Sequence, residues 1–437
     1  MKKFPKILIC GQFFNLRSGG GITLSNLFYG WGKNNIAAIA SFIDNPSFDV
    51  CERYYQLGSS EFNLRFPFNL KRRRNKIYSG KIERKEGSDS SSSMLIKNKS
   101  LLRSIYDKVL FSTGLIHYRS EFKISEDLLR WIKDLSPDII YSQLSSLEGI
   151  RIVYALQREL KVPLAIHIMD DWPNTIGNRY FPRVIWHNII RREFLCLLSK
   201  ADALFSISES MSEEYFKRYG LKFIPFHNPI SIDNWLPFSK TKWVVEGDFK
   251  ILYSGRIGIA NGKSIIFMAN IINEMFLSKQ RIKLDIYTPD YHNRDASSLN
   301  NLNGVSVKKT VAYQEMPKLL ASYDLLLLPL DFDKDGIRFA KLSMPTKTSE
   351  YMISGTPILI YSPKETAVAK FFIENNCGYC VTRQSKEEIK EAIRFLISDE
   401  EYRQRISRNA VKLAVERFDS TLVRERFRNI LRDITIE

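Results

Sequence analysis

Short apolar runs alternate with helical stretches along most of this 437-residue chain, and that alternation restricts the fold more than any single residue does. Lys6–Cys10 and Asp138–Tyr141 are short apolar runs, while Leu164–Met169 and Ala203–Ile207 read as buried parallel strands. Between them Glu148–Leu160 has helical periodicity. A second series follows the turn His227-Asn228-Pro229: strands at Phe249–Tyr253, Leu284–Tyr287, Asp324–Pro329 and Pro357–Tyr361, then amphipathic helices Lys386–Ile397 and Glu401–Arg417. A last helix is predicted over Leu422–Ile436. The pattern predicts an α/β fold with parallel sheets. A single core stops growing at roughly 250–300 residues, so the chain holds two domains. Pro229, Pro237 and a mixed charged segment place the boundary within 229–247. This gives an N-terminal domain over 1–235, a C-terminal domain over 236–415 and a closing helix over 416–437.

Residues 61–100 break the pattern. Arg72, Arg73 and Arg74 lie in a dense basic stretch that leads to a Ser-rich tract at Gly87–Ser93, which reads as an insertion rather than core. The net charge is +17, and residues 1–120 carry 20 Lys and Arg against 8 Asp and Glu, a net of +12. Such an excess suits an anionic partner, such as a membrane face or a lipid phosphate. Nucleic acid is disfavoured, because only Phe66, Phe68 and Tyr78 interleave the cations and no recognition module appears. No apolar run of about 18 residues exists to span a bilayer. The basic-then-apolar start at Met1–Cys10 is interrupted at Gly11-Gln12 and reads as a first strand rather than a leader. The five cysteines are scattered and odd in number, which suits a reducing, cytoplasmic setting.

Ligands of open parallel sheets bind beyond the carboxyl ends of the strands. Three such ends in the second half carry suggestive residues. Tyr253-Ser254-Gly255-Arg256 is followed by Asn261-Gly262-Lys263; a guanidinium grips phosphate oxygens in a fork, and an ammonium adds a compact charge. Pro345-Thr346-Lys347-Thr348-Ser349-Glu350-Tyr351 runs to Gly355-Thr356-Pro357. Pro345 suits the first turn of a helix whose free N–H groups, with Thr346, face phosphate, and Glu350 can accept two hydrogen bonds from a ribose diol. The third, Val311-Ala312-Tyr313, could border a nucleobase or be a plain loop.

In the first half, Ser18-Gly19-Gly20-Gly21 follows the first strand and lets backbone approach an anion. His167 ends a strand and is followed by Asp170 and Asp171; a polar trio at a strand end favours an open face over a core. Two further signals fail. Asp331–Gly336 imitates a calcium loop, but its twelfth position is Leu342 where a bidentate Glu is required. Cys377-Gly378-Tyr379-Cys380 lacks the second pair that zinc needs and reads as an entry into a strand.

Taken together, the Ser254-Gly255-Arg256 loop, the Gly262-Lys263 step and the Pro345–Pro357 segment resemble retaining glycosyltransferases of the family 4 type (group 1). The likeness spans roughly 130–415, and Pro345-x-Lys347-x-x-Glu350-Tyr351 is its most specific part. The resemblance implies the GT-B fold: two facing Rossmann-like domains with parallel sheets and a cleft between them. It implies transfer of a sugar from a nucleotide donor to a glycan or polyprenyl-linked acceptor in cell-surface polysaccharide synthesis. It carries Arg256 and Lys263 to the donor diphosphate, Thr346 and Lys347 beside it, and Glu350 to the ribose. The glycine loop Gly19–Gly21 then faces the donor phosphate, His167 the sugar, and Asp170 or Asp171 the acceptor. Cations replace a metal, so no cofactor is implied. Two departures stand out. Many members carry a glutamate eight positions before the one matching Glu350, where this chain has Leu342, and Lys263 comes later after Arg256 than usual. A sugar-nucleotide epimerase of the same architecture is the alternative, with a nucleic-acid binder further behind. The enzyme is expected in the cytoplasm, peripheral on an anionic membrane face.

Overall fold

A computed structural model describes residues 4–70, 77–84, 101–177 and 180–435. The basic run at 71–76 and the Ser-rich tract at 87–93 lie outside the described residues. The chain divides into two compact units. One comprises the chain through Ser206, Tyr215–Ile224 and the segment from Phe427; the other comprises Ile207–Glu214 and Pro225–Arg426.

Among the described residues, the first unit has ten strands: β1 (Ile7–Cys10), β2 (Ile36–Ala40), β3 (Arg53–Gln56), β4 (Phe62–Leu64), β5 (Gly80–Ile82), β6 (Ser120–Phe122), β7 (Ile139–Gln143), β8 (Leu164–Ile168), β9 (Ala203–Ser206) and β10 (Ile224–Pro225). Eight form one sheet in the order β10-β9-β8-β7-β1-β2-β3-β5, and β4 pairs with β6 separately. β1 lies parallel to both β2 and β7, in register Ile7 to Ile36 and Ile7 to Ile139. β5 runs antiparallel to its neighbour β3, and β4 antiparallel to β6. The central strands are buried along their whole length, as continuous apolar runs require when helices cover both sheet faces. Helix Ser420–Asp433 adds Phe427 to this core, with its ring 5.3 Å from Phe28, 5.7 Å from Tyr141 and 5.4 Å from Phe205.

The second unit has six strands: β11 (Phe249–Ser254), β12 (Ile282–Thr288), β13 (Val305–Lys309), β14 (Leu325–Pro329), β15 (Ile358–Tyr361) and β16 (Tyr379–Val381). Their order is β13-β12-β11-β14-β15-β16 and all five neighbouring pairs are parallel. Helix Gly262–Leu277 buries Ile265, Met268, Ile272 and Met275 against this sheet. The strand order reverses direction at β11 and β14 here and at β1 and β7 in the first unit. Each reversal opens a crevice beyond the strand ends, where ligands of doubly wound sheets bind. No described helix is long and apolar enough to cross a membrane.

Candidate functional site

The second unit's site grows from the end of β11. Gly255 takes φ +141°, and a Cβ there would overlap Lys347 Nζ, so only glycine lets the two approach. The Lys347 ammonium sits 4.1 Å above the Tyr253 ring centre, a cation–π contact. Tyr253 donates its hydroxyl hydrogen to the Arg256 carbonyl (2.5 Å) and accepts from Asn261 Nδ2 (2.7 Å). Asn261 Oδ1 in turn accepts from the Gly258 N–H (2.9 Å), so the loop between strand and helix is tied at three points. Arg256 itself is exposed. Its carbonyl, and not its guanidinium, is what the loop's hydrogen bonds engage.

The second segment folds onto the first through Tyr351, whose hydroxyl accepts from the Ser254 N–H at 2.9 Å. Helix Lys347–Ile353 begins two residues later than Pro345 suggested, because Thr346 takes the capping position; its side chain makes no cap bond. The Thr346 carbonyl accepts from Asn228 Nδ2 (3.2 Å), which anchors the helix start. Gly355, at φ +68°, ends the helix before β15. Glu350 lies on the inward side, only 7% exposed, and receives a hydrogen bond from the Tyr313 hydroxyl. Burial pushes its carboxyl up to about 7, against the pull of Lys347 and Tyr313. Burial likewise brings the Lys347 ammonium down to about 7, against the pull of Glu350. Tyr313 thus belongs to the same cluster, and its ring lies 6.2 Å from Trp235.

Lys263 stands differently. Its ammonium is 2.8 Å from Asp333 Oδ2, and its own N–H and that of Ser264 donate to Asp331 at 3.3 and 2.7 Å. Asp331 therefore caps helix Gly262–Leu277, and Asp333 caps helix Lys334–Ala340 by accepting from the Gly336 N–H (3.2 Å). Those two carboxylates, which mimic a calcium loop in sequence, are helix caps. Among the described residues no three His, Cys, Asp or Glu side chains gather as a metal-binding set. Leu342 is buried, and its carbonyl accepts from Ser208 Oγ (2.7 Å). Cys377 and Cys380 are free thiols that burial pushes up to about 12, which leaves them unreactive.

In the first unit the expectation of an open polar face at His167 is corrected. β8 is covered on both sides, and His167 is fully buried. Its Nδ1 pairs with the Tyr141 hydroxyl at 2.7 Å, and its ring packs on Phe205. Asp171 is 3% exposed and engages Arg218 (2.8 Å) and the Tyr215 hydroxyl (3.0 Å). Burial holds this carboxyl above the ordinary carboxylate range despite both partners. Asp170 is half-buried beside it. The polar trio therefore signalled an internal ion pair rather than an open face. Asp171→Ala is expected to lower stability by about 2 kcal/mol, below the ~3–5 of a fully buried pair because Arg218 keeps 24% of its side chain exposed. Thermal unfolding checks this; lost turnover at unchanged stability would instead make Asp171 a substrate contact.

One open hollow of this unit lies at the ends of β1, β2 and β7. It measures about 270 Å³ and is lined by Gly11, Gln12, Ser41, Ser142, Gln143 and Glu148, among others. Gly19–Gly21 form the first turn of helix Gly19–Phe28, capped by Ser18 Oγ accepting from the Gly21 N–H. A Cβ on Gly20 would press on Gln12 and Gln143, and one on Gly21 on Asn15, so these glycines are fixed by close packing beside the hollow. Gln12, Gln143 and Glu148 carry no sequence signal of their own; only the strand order gathers them.

Two Rossmann-like units with these parallel sheets define the GT-B class of glycosyltransferase fold. Solved structures share it across nearly the whole chain. HepE of Anabaena, in complex with UDP and glucose, is 14% identical and covers 98% of this chain and 100% of its own at a TM-score of 0.60. Sucrose-phosphate synthase from Thermosynechococcus elongatus is 11% identical over 98% of each chain, at 0.63. WaaG, a glycosyltransferase involved in lipopolysaccharide biosynthesis, is 12% identical over 97% of this chain and 99% of its own, at 0.58. No curated protein matches the sequence significantly. Residues 238–413, within the second unit, match the family model described as glycosyl transferases group 1.

Proposed function

We propose that the chain is a retaining glycosyltransferase that moves a hexose from a nucleoside diphosphate donor to a glycan or polyprenyl-linked acceptor in surface polysaccharide synthesis. The observation that carries this reading is the meeting of Lys347 and Glu350 with the end of β11, next to the loop that bears Arg256, where Gly255 admits Lys347 and Tyr351 ties the helix to the strand. Glu350 takes the ribose diol and Tyr313 steadies its carboxylate. Arg256 and Lys347 meet the charge that grows on the diphosphate as the bond between the anomeric carbon and the phosphate oxygen breaks. The acceptor hydroxyl attacks from the same side, and its proton passes to the departing phosphate oxygen. In this reading side-chain cations do the work that a metal does elsewhere. Lys263, already held by Asp333, takes a supporting part. The acceptor is assigned to the hollow at Gln12, Gln143 and Glu148.

A thermal-shift screen with UDP, GDP, ADP and CMP tests the reading, since a ligand that binds only the folded state raises the melting temperature. UDP is the first choice, because the Anabaena structure holds it. A rise of several degrees with one diphosphate, lost in Glu350→Ala, is expected. No shift with any of the four would overturn the assignment.

A further inference from the structure

The first unit carries a second surface, distinct from the hollow at Gln12, Gln143 and Glu148. Helix Leu101–Ser112 ends against the segment at 180–186. The Phe181 N–H donates to the Ser112 carbonyl at 2.7 Å, the Trp186 indole N–H to the Thr113 carbonyl at 2.8 Å, and the Phe111 and Tyr180 rings meet edge-on at 5.6 Å. Gly114, at φ +69°, permits this approach, because a Cβ there would overlap the Trp186 ring. Leu110, Tyr180 and Trp186 turn inward and satisfy the packing. The outward side chains are nevertheless apolar too: Phe181 is 73% exposed, Val184 72%, Ile185 53% and Val109 51%. Single exposed apolar residues need no explanation, but a set on two joined elements marks a binding surface.

Its charge selects the occupant. An open groove of about 700 Å³ beside it sets Phe111 and Ile116 between Lys108 and Arg119. Residues 180–192 include exposed Arg183, Arg191 and Arg192 and no Asp or Glu, and Asp107 is the one acid of helix Leu101–Ser112. A second copy of this +17 chain would bring the same cations and be repelled. Apolar knobs among cations match a bilayer whose headgroups are anionic.

We propose that this surface docks on an anionic lipid bilayer, with Phe181, Val184 and Ile185 entering the boundary of headgroups and acyl chains and Lys108, Arg119 and Arg183 meeting headgroup phosphates. The proposal stands on these residues alone and is independent of donor binding. Co-sedimentation of the full chain with phosphatidylcholine vesicles, with and without phosphatidylglycerol, tests it. The wild type is expected to sediment with the anionic vesicles only, less so as salt rises. Val184→Glu with Ile185→Glu places two acids in the first turn of helix Arg183–Leu198, where they favour the helix dipole and preserve the fold. Binding is expected to fall about tenfold or more. Arg183→Ala should weaken it about fivefold. Three results overturn the proposal: equal sedimentation with neutral vesicles, wild-type binding by the double variant, or a wild-type dimer that the double variant disperses without any vesicle binding.

Discussion

Arg256→Ala is expected to lower the turnover number about 10²- to 10³-fold, the cost of removing one preorganised donor from a developing anion. The guanidinium is exposed at the end of β11, while its own carbonyl is held by Tyr253 and Asn261. Removing the side chain therefore leaves the loop intact, and the melting temperature should stay where it is. Steady-state transfer with the donor that the thermal screen selects is the measurement. Lys263→Ala should cost much less, because that ammonium is engaged by Asp333. Equal losses in the two variants would show that the diphosphate lies elsewhere.

Glu350→Ala is expected to weaken binding of the nucleoside diphosphate about a hundredfold, the loss of two charge-assisted hydrogen bonds at roughly 1.5 kcal/mol each. The pH dependence separates this from a general disturbance of the site. Burial has raised Glu350 to about 7, so below that value the carboxyl is protonated. The ribose diol needs the carboxylate, so binding expels a proton and affinity falls about tenfold per unit as pH drops. Burial has lowered Lys347 to about 7, so above that value the amine is neutral. A diphosphate favours the ammonium, so binding takes up a proton and affinity falls again as pH rises. Titration calorimetry should give a bell centred near 7, with protons released on its acid side and taken up on its alkaline side. Glu350→Gln should flatten the acid limb and Lys347→Met the alkaline one. A flat profile in the wild type would refute the arrangement.

Much of the second unit could be read from its residues, because there local and long-range requirements coincide. Phe249–Tyr253 and Asp324–Pro329 are apolar and short, and they became β11 and β14 within a residue or so. The Lys347–Glu350 segment carries its own stop at Gly355, so its helix was visible as well. β2 was not, since Ile36-Ala37-Ala38-Ile39-Ala40 suits a helix equally and only parallel neighbours on both sides make it a strand. His167 misled for a related reason. A polar residue at a strand end suggests an opening, and nothing local announces that Tyr141, two strand positions away in another run, will take its Nδ1. The site's supporting contacts share this property. Asp331 is an ordinary loop residue until β11 and β14 become neighbours and set it over the start of helix Gly262–Leu277.

Phe427 has a bearing on synthesis. The aromatic cluster of Phe28, Tyr141 and Phe205 is finished by a ring that the ribosome adds only after the strands of the second unit. Strands β1 to β9 emerge early but must wait, with that apolar nest unroofed, while the intervening polypeptide is made. The nascent chain is thus obliged to shelter Phe28, Tyr141 and Phe205 until Phe427 arrives.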